Sequence, residues 1–283
     1  PIAKKPPLQA LILTPTRELA IQIERSITGY GRFTRLQSLA VYGGVPIQKQ
    51  FKSLRHGVDI VVATPGRLKD HINRGTIDLR QVQILVLDEA DRMLDMGFIQ
   101  DMKKIIAELP TQRQTLLFSA TISPEIKRLS ADILNDPQMI QIGRPRNPIE
   151  TITQHICPVP AEQKIQLLLH LLDGDTMDSV LVFSRTKHGA DKICRKLKQA
   201  DIDAVAIHSN RTQKQRQQAL DGFTRGRFQV MVATDIAARG INVQGISHVI
   251  NYDVPAFPED YIHRIGRTGR AAATGDAITF VSH

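Results

Sequence analysis

The stretch Ile84-Leu85-Val86-Leu87-Asp88-Glu89-Ala90-Asp91 sets four apolar residues directly before two adjacent carboxylates, with a third two positions on. Four apolar residues without alternation fit a strand buried on both faces, as in a parallel sheet covered by helices. In an open α/β sheet the ligand crevice lies beyond the carboxyl ends of the strands, so Asp88 and Glu89 would stand at its mouth. Outward from this point the same form recurs. Apolar runs occupy 10–13, 38–42, 60–63 and 115–118, then 180–183, 204–207, 230–233, 249–251 and 277–281. Between them lie amphipathic segments at 96–109, 124–134, 162–172, 190–199 and 216–223. Alternating strands and helices predict an α/β fold with parallel sheets.

Five such runs precede and five follow Gly143-Arg144-Pro145-Arg146-Asn147-Pro148, a segment with no apolar side chain and two prolines. That composition predicts an exposed linker. The expected division is 1–143, a linker at 144–150, and 151–283. A chain of 283 residues is long for one domain and comfortable for two.

Lys and Arg outnumber Asp and Glu by 37 to 28, a net charge of +9 that favours a polyanionic partner, nucleic acid before membrane. Cys157 and Cys194 lie far apart, without His or Cys neighbours at ligand spacing, which argues against disulfides and zinc and for a reducing, cytoplasmic compartment. No apolar run approaches the roughly 18–20 residues of a membrane span, and no signal peptide opens the chain. The first residue is Pro1 rather than Met, which reads as a cut through a longer protein.

Almost every apolar run is followed by groups that bind ligands. The first half supplies Thr14-Pro15-Thr16-Arg17, Gly43-Gly44, Thr64-Pro65-Gly66-Arg67, Asp88 to Asp91 and Ser119-Ala120-Thr121. The second supplies Ser184-Arg185-Thr186, His208-Ser209-Asn210, Thr234-Asp235 and Asn251-Tyr252-Asp253. Asp88-Glu89 has the Walker B arrangement, a carboxylate that holds Mg²⁺ through water beside one that orients or deprotonates the attacking water. An isolated Asp-Glu pair also suits a helix start, where the dipole favours acid; the whole tetrad followed by Ser119-Ala120-Thr121 goes beyond that. In His263-Arg264-Ile265-Gly266-Arg267-Thr268-Gly269-Arg270 the arginines fall three apart, on one face of a helical turn, and the glycines leave room for close approach. Such a face suits the charge on a transferring phosphoryl group, and a solvated basic helix is the bland alternative.

These elements, with Pro15-Thr16-Arg17-Glu18-Leu19-Ala20 and Ala237-Ala238-Arg239-Gly240, resemble the DEAD-box RNA helicases of superfamily 2, in order and spacing along essentially the whole chain. The stretch Arg270-Ala271-Ala272-Ala273-Thr274-Gly275 is similar to the bacterial RhlE subgroup. The resemblance implies two tandem RecA-like lobes, each a mostly parallel sheet flanked by helices, that use ATP and Mg²⁺ to unwind short RNA duplexes. It implies that Asp88 and Glu89 serve Mg²⁺ and the hydrolytic water. Asp91 and His263 would link the lobes, and Ser119 and Thr121 would couple hydrolysis to closure. Arg267 and Arg270 would reach the γ-phosphate.

RNA would be gripped by Pro15, Thr16, Arg17, Gly43, Gly44, Thr64, Pro65, Gly66 and Arg67. In the second half the matching positions are Arg185, Thr186, Gln213, Arg216, Thr234, Arg239 and Gly240. Hydroxyls, arginines and glycine backbone bind phosphate and ribose oxygens, and with no Trp and 5% aromatics base stacking is a minor source of affinity. A sequence-independent grip is expected. A plain tight turn reads Gly43-Gly44 nearly as well, and an exposed helix face reads Gln213 and Arg216 equally well.

Two departures stand out. Asn242 occupies the place where the family carries a ribose-binding Asp, which predicts a weaker nucleotide grip because charge assistance roughly doubles such bonds. No Gly-Lys pair of a phosphate-cradling loop occurs, so that loop and the adenine-reading glutamine element are expected upstream of Pro1, and the chain alone is expected not to hydrolyse ATP. The final helix of the second lobe is likewise expected beyond His283. Two other classes compete with the helicase reading: a non-catalytic RNA-binding module, and a DNA translocase, which the tetrad ending in Asp91 and the Ser119–Thr121 triplet disfavour.

Overall fold

The computed structural model describes residues 7–141, 152–174, 177–238, 243, 245–269 and 274–282. The chain divides into two compact units, Pro1–Ile140 and Gln141–His283. The expected linker at 144–150 lies outside the described residues.

The first unit runs β1 (Ala10–Leu13), α1 (Arg17–Tyr30), β2 (Ser38–Val41), α2 (Ile47–His56), β3 (Ile60–Ala63), α3 (Pro65–Asn73) and β4 (Ile84–Leu87). It continues through α4 (Ala90–Asp95), α5 (Ile99–Ala107), β5 (Gln114–Leu117) and α6 (Pro124–Ile133). Its sheet has the order β2-β3-β1-β4-β5, every pair parallel. The connection from β1 leaves toward β2 and that from β4 toward β5, so the topological switch point, where such sheets bind ligands, lies between β1 and β4.

Register matters more here than order. Leu13 stands level with Ala63 and Leu87, Val41 with Ala63, and Leu117 with Leu87. The next backbone bonds continue this line: Thr14 N–H to Ala63, Thr64 N–H to Val41, Asp88 N–H to Leu13 and Phe118 N–H to Leu87. All five strands therefore deliver their following residues to one rim.

One face of this sheet is a closed core. Leu11, Leu13, Val61, Ala63, Leu85 and Leu87 pack against Leu68 of α3, Met93 of α4, Met102 and Ile105 of α5, and Ile126 and Leu129 of α6. The opposite face departs from the expectation of full burial. Its helix, α1, packs over β2 and β3, and Ile12, Val86 and Leu116 are only half-buried.

The second unit runs β6 (Ile152–Pro158), a 3₁₀ turn (Ala161–Gln163), α7 (Lys164–Leu172), β7 (Val180–Phe183), α8 (Lys187–Gln199) and β8 (Ala204–Ile207). It ends with α9 (Gln213–Thr224), β9 (Val230–Ala233), α10 (Asp235–Ala238), β10 (His248–Asn251), α11 (Pro258–Ile265) and β11 (Gly275–Val281). The sheet order is β6-β11-β10-β7-β9-β8, again parallel throughout. Here both faces are closed. Val180 and Val182 join a core with Leu168, Ile193 and Leu197, while Leu181 and Phe183 join one with Leu220, Phe223, Ala237 and Ile246. That alternation along one strand is the period of two at work.

This sheet has six described strands where five apolar runs are legible. The unexpected one, β6, is an edge strand that mixes Thr153, Gln154 and His155 with a largely exposed Ile156. A strand with one open side needs no continuous apolar run.

Candidate functional site

At the tip of β4 the backbone turns sharply. Glu89 has a left-handed conformation (φ 51°), which costs a non-glycine residue about 1–3 kcal/mol and persists only where the surroundings hold it. Three contacts hold it here. Glu89 N–H donates to Asp88 Oδ1 at 3.0 Å, the next amide, Ala90 N–H, donates to the Phe118 carbonyl, and the Glu89 carboxylate accepts from Arg92 Nη1 at 2.7 Å. Arg92 is buried and was not among the residues that sequence reasoning singled out; only its i,i+3 spacing from Glu89 could have pointed to it.

Burial raises the Asp88 proton affinity above the ordinary carboxylate range, the neighbouring charges of Glu89 and Asp91 raise it further, and the Glu89 amide offsets part of this. Such a carboxylate is poised to receive a cation. No group of three or more His, Cys, Asp or Glu side chains among the described residues could form a closed metal cage. This donor set fits Mg²⁺, which uses one or two carboxylates and completes its octahedron with water and substrate phosphate.

The structure joins the β4 and β5 tips. Asp91, 8% exposed, accepts at Oδ2 from both the Thr121 amide (2.9 Å) and the Thr121 hydroxyl (2.8 Å), and at Oδ1 from the Arg92 amide. Ser119 donates to the Thr121 carbonyl at 2.7 Å. A shift of the 119–121 segment is therefore felt at once by Asp91, two residues from Glu89.

Along the same rim Thr16 caps α1 by accepting from Leu19 N–H, Pro15 is buried, and Arg17 is exposed. The glycine pair is more than a turn. A Cβ on Gly43 would touch the Arg17 guanidinium at 3.4 Å, and one on Gly44 (φ +83°) would overlap it. The two glycines make room for Arg17. Thr64, Pro65 and Gly66 open α3 at the next tip, with Thr64 and Pro65 buried. Arg67, whose side chain is 12% exposed, donates to the Val45 carbonyl (3.1 Å) and to Gln50 Oε1 (3.2 Å), so its guanidinium is partly committed to holding the glycine turn.

In the second unit the β7 tip is held by Asp253, which follows β10. Its Oδ2 accepts from Arg185 N–H (2.9 Å) and from the Ser184 hydroxyl (3.4 Å), and its Oδ1 lies 3.5 Å from buried Lys164. Thr186 caps α8, leaving the Arg185 side chain exposed at the rim. His208 is buried against Asp191 at 3.0 Å, and Thr234 starts α10. Gln213 is buried beside the Thr212–Gln215 capping box, which removes the exposed-face reading for that residue. Arg216 reaches the Ala237 carbonyl at 3.4 Å. Arg239, Gly240, Asn242 and Arg270 lie outside the described residues.

Of the single arginine face expected from 264, 267 and 270, the structure describes the first two members. Gly266 ends α11, so Arg264 lies in the helix and Arg267 falls in the following turn, its N–H on the Arg264 carbonyl. Arg264 is buried and fully engaged: Nε and Nη2 grip the two Asp235 oxygens at 2.6 and 2.8 Å, and Nη1 donates to Asn251 Oδ1 and the Asp253 carbonyl. The guanidinium also stacks 5.0 Å from the Phe183 ring. It is a keystone between α10, α11 and β10. Arg267 is also largely buried, and His263 is half-buried in the last turn of α11.

Comparison with known proteins bears on this arrangement. A DEAD/DEAH box helicase family model matches residues 1–129, and a helicase conserved C-terminal domain model matches residues 163–272. The chain is 42% identical over 279 residues to a DEAD-box ATP-dependent RNA helicase, CshA, of Geobacillus kaustophilus, covering 99% of this chain and 60% of that protein. It is 46% identical over 274 residues to the ATP-dependent RNA helicase DBP2 of Saccharomyces cerevisiae, covering 95% and 50%. The chain thus spans 50–60% of the length of these curated relatives. Among solved structures, S. cerevisiae Dbp5 bound to RNA and ADP BeF3 superposes with a TM-score of 0.84 at 30% identity, over 98% of this chain and 72% of that one. A DEAD box protein of Methanococcus jannaschii matches at 0.55 and 39% identity, over 98% and 75%. Among the described residues no helix is long and apolar enough to cross a membrane.

Proposed function

The chain belongs to the DEAD/DEAH-box helicase family, with two RecA-like units, and from that premise we propose that it is the greater part of the core of an ATP-dependent RNA helicase. One observation carries this reading: level strand tips gather Asp88, Glu89, Asp91 and Thr121 at the switch point of the first sheet. The relative with RNA and ADP BeF3 bound supports both ligands.

Asp88 would hold Mg²⁺ through water, and a bound ion would supply charge neutralisation at the phosphate oxygens. Glu89, fixed by Arg92, orients the attacking water and takes its proton as the bond to the β-phosphate oxygen breaks. Asn242, Arg267 and Arg270 serve the nucleotide. Asp91, Ser119, Thr121 and His263 couple the change in phosphate bonding to the RNA grip. Pro15, Thr16, Arg17, Gly43, Gly44, Thr64, Pro65, Gly66 and Arg67, with Arg185, Thr186, Gln213, Arg216, Thr234, Arg239 and Gly240, bind one strand through its backbone without regard to sequence. The protein acts in the cytoplasm. Taken alone, the 283 residues bind RNA without turning over ATP, because no Gly-Lys pair is present to cradle the phosphates.

The test is phosphate release and displacement of a short RNA duplex by the full-length protein. RNA-stimulated release that Glu89→Gln abolishes is the expected result. RNA binding without any stimulated release would favour a non-catalytic module, and equal stimulation by single-stranded DNA would favour a DNA translocase.

A further inference from the structure

Behind the glycine turn lies a buried chain of polar side chains, of which only Arg67 has a part in the reading above. The Gln50 amide is the hub. Its Nε2 donates to the Tyr42 carbonyl at 3.0 Å, and its Oε1 faces Arg67 Nη1 at 3.2 Å and His71 Nε2 at 3.1 Å. His71 is fully buried, its Nδ1 lies 2.9 Å from the Thr76 hydroxyl, and its ring meets Phe51 edge-on.

The proton positions follow by elimination. Gln50 cannot be reversed, since its NH₂ satisfies the Tyr42 carbonyl, so Oε1 is an acceptor and His71 Nε2 must carry the ring proton. Burial first, and the Arg67 charge second, depress the ring's pKa to about 4, so it is neutral; its Nδ1 lies beside the Thr76 hydroxyl, which donates to the His71 carbonyl at 3.0 Å. The result is a one-way sequence of donors: the His71 ring to Gln50, and Gln50 to Tyr42.

Its output is the backbone on both sides of Gly43-Gly44. Tyr42 O is held by Gln50 and Val45 O by Arg67, and the two holding side chains are bonded to each other. The glycines, in turn, seat Arg17. Glycine backbone has no side chain to fix its own direction, so its amides point wherever these two carbonyl anchors aim them.

We propose that Gln50 and His71 are positioning residues for the RNA grip: they fix the Gly43-Gly44 turn, and through it Arg17, in the geometry that meets a strand's phosphates. This deepens the proposed helicase function and rests on it. A packing role alone would have been filled by apolar residues; a fully bonded polar network in a buried site instead specifies one geometry.

The experiment measures binding of the full-length protein to a fluorescein-labelled oligouridylate as a function of salt, for wild type, Arg17→Ala, Gln50→Leu, His71→Phe and the Arg17→Ala/Gln50→Leu double variant. Gln50→Leu and His71→Phe are expected to weaken binding about tenfold and to lower the slope of log K against log salt by about 0.7, the signature of one lost phosphate contact on a single strand. The double variant should bind no more weakly than Arg17→Ala. The slope is read on bound complex and is unmoved by a fraction of unfolded protein, so simple destabilisation leaves it at the wild-type value and overturns the proposal. Additive losses in the double variant overturn it as well. If Arg17→Ala itself leaves binding unchanged, the RNA reading of this rim is what fails. If Arg17→Ala weakens binding while Gln50→Leu does not, the positioning role is what fails.

Discussion

His71 should make the stability of this protein depend on pH in a specific window. The ring is fully buried and held neutral, with its pKa depressed from an ordinary 6.5 to about 4 by burial and by the Arg67 charge. Between those values the unfolded chain binds a proton that the folded chain does not. Stability therefore rises with pH across the window: it is fully present above pH 6.5, is lost as pH falls toward about 4, and changes no further below that. At about 1.36 kcal/mol for each pH unit, the native state forfeits about 2.5 kcal/mol between pH 7 and pH 4.5 through this one group. The measurement is urea unfolding followed by circular dichroism, because the chain has no Trp, for wild type and His71→Phe at intervals across that range. Other groups titrate in both proteins, so the quantity of interest is the difference between the two profiles. Wild type should lose about 2.5 kcal/mol more than the variant. Parallel profiles would mean that the ring is charged or wet in the folded state, and the donor sequence from His71 to Tyr42 would be wrong.

Three further outcomes follow from the site. Asp235→Ala leaves the Arg264 guanidinium buried without its carboxylate, and should cost about 3–5 kcal/mol in urea unfolding; a loss below about 1 kcal/mol would show that the pair is not shielded from water. Asp88→Asn should raise the urea midpoint at neutral pH while removing RNA-stimulated turnover. Its native carboxyl holds its proton more tightly than the unfolded one, so its ionised form works against folding, and a lowered midpoint would contradict this. Thr121→Val deletes the hydroxyl that Asp91 accepts but keeps the backbone bond, and should cost about 1 kcal/mol of stability while uncoupling phosphate release from strand displacement, read as more ATP consumed per duplex separated.

Much of the fold was written where both faces of a strand are buried. The runs at 180–183, 204–207 and 230–233 coincide with β7, β8 and β9 because a doubly covered strand has no position for a polar residue, and those at 10–13, 60–63 and 84–87 coincide with β1, β3 and β4, which are apolar on the half-buried face as well as on the closed one. The edge strand β6 escaped for the converse reason. Candidate site residues that follow a strand directly could be placed from the sequence, since topology alone brings those tips to one rim. The end of α11 at Gly266 was not foreseen, because the spacing of three between Arg264 and Arg267 reads the same in a helix and in the turn that follows it. Gln50 and His71 left no local signal: the bonds of Gln50 to His71 and Arg67 span 21 and 17 residues and exist only once α2 and α3 have packed. Arg92 looked like one more surface cation on a short helix, and only its burial beside Glu89 distinguishes it.

Strands that end level have a consequence for how such a protein can change. Lengthening any one of them by a single residue would push its tip out by about 3.3 Å and turn its side chains over, disarranging every neighbour on the rim. The connections at the far ends carry no such obligation. The turns around Asp201 and Gly226, both with positive φ and both on the side away from the ligand groups, are where extra segments can be grafted, or a reporter domain inserted, while the chemistry on the other side goes on undisturbed.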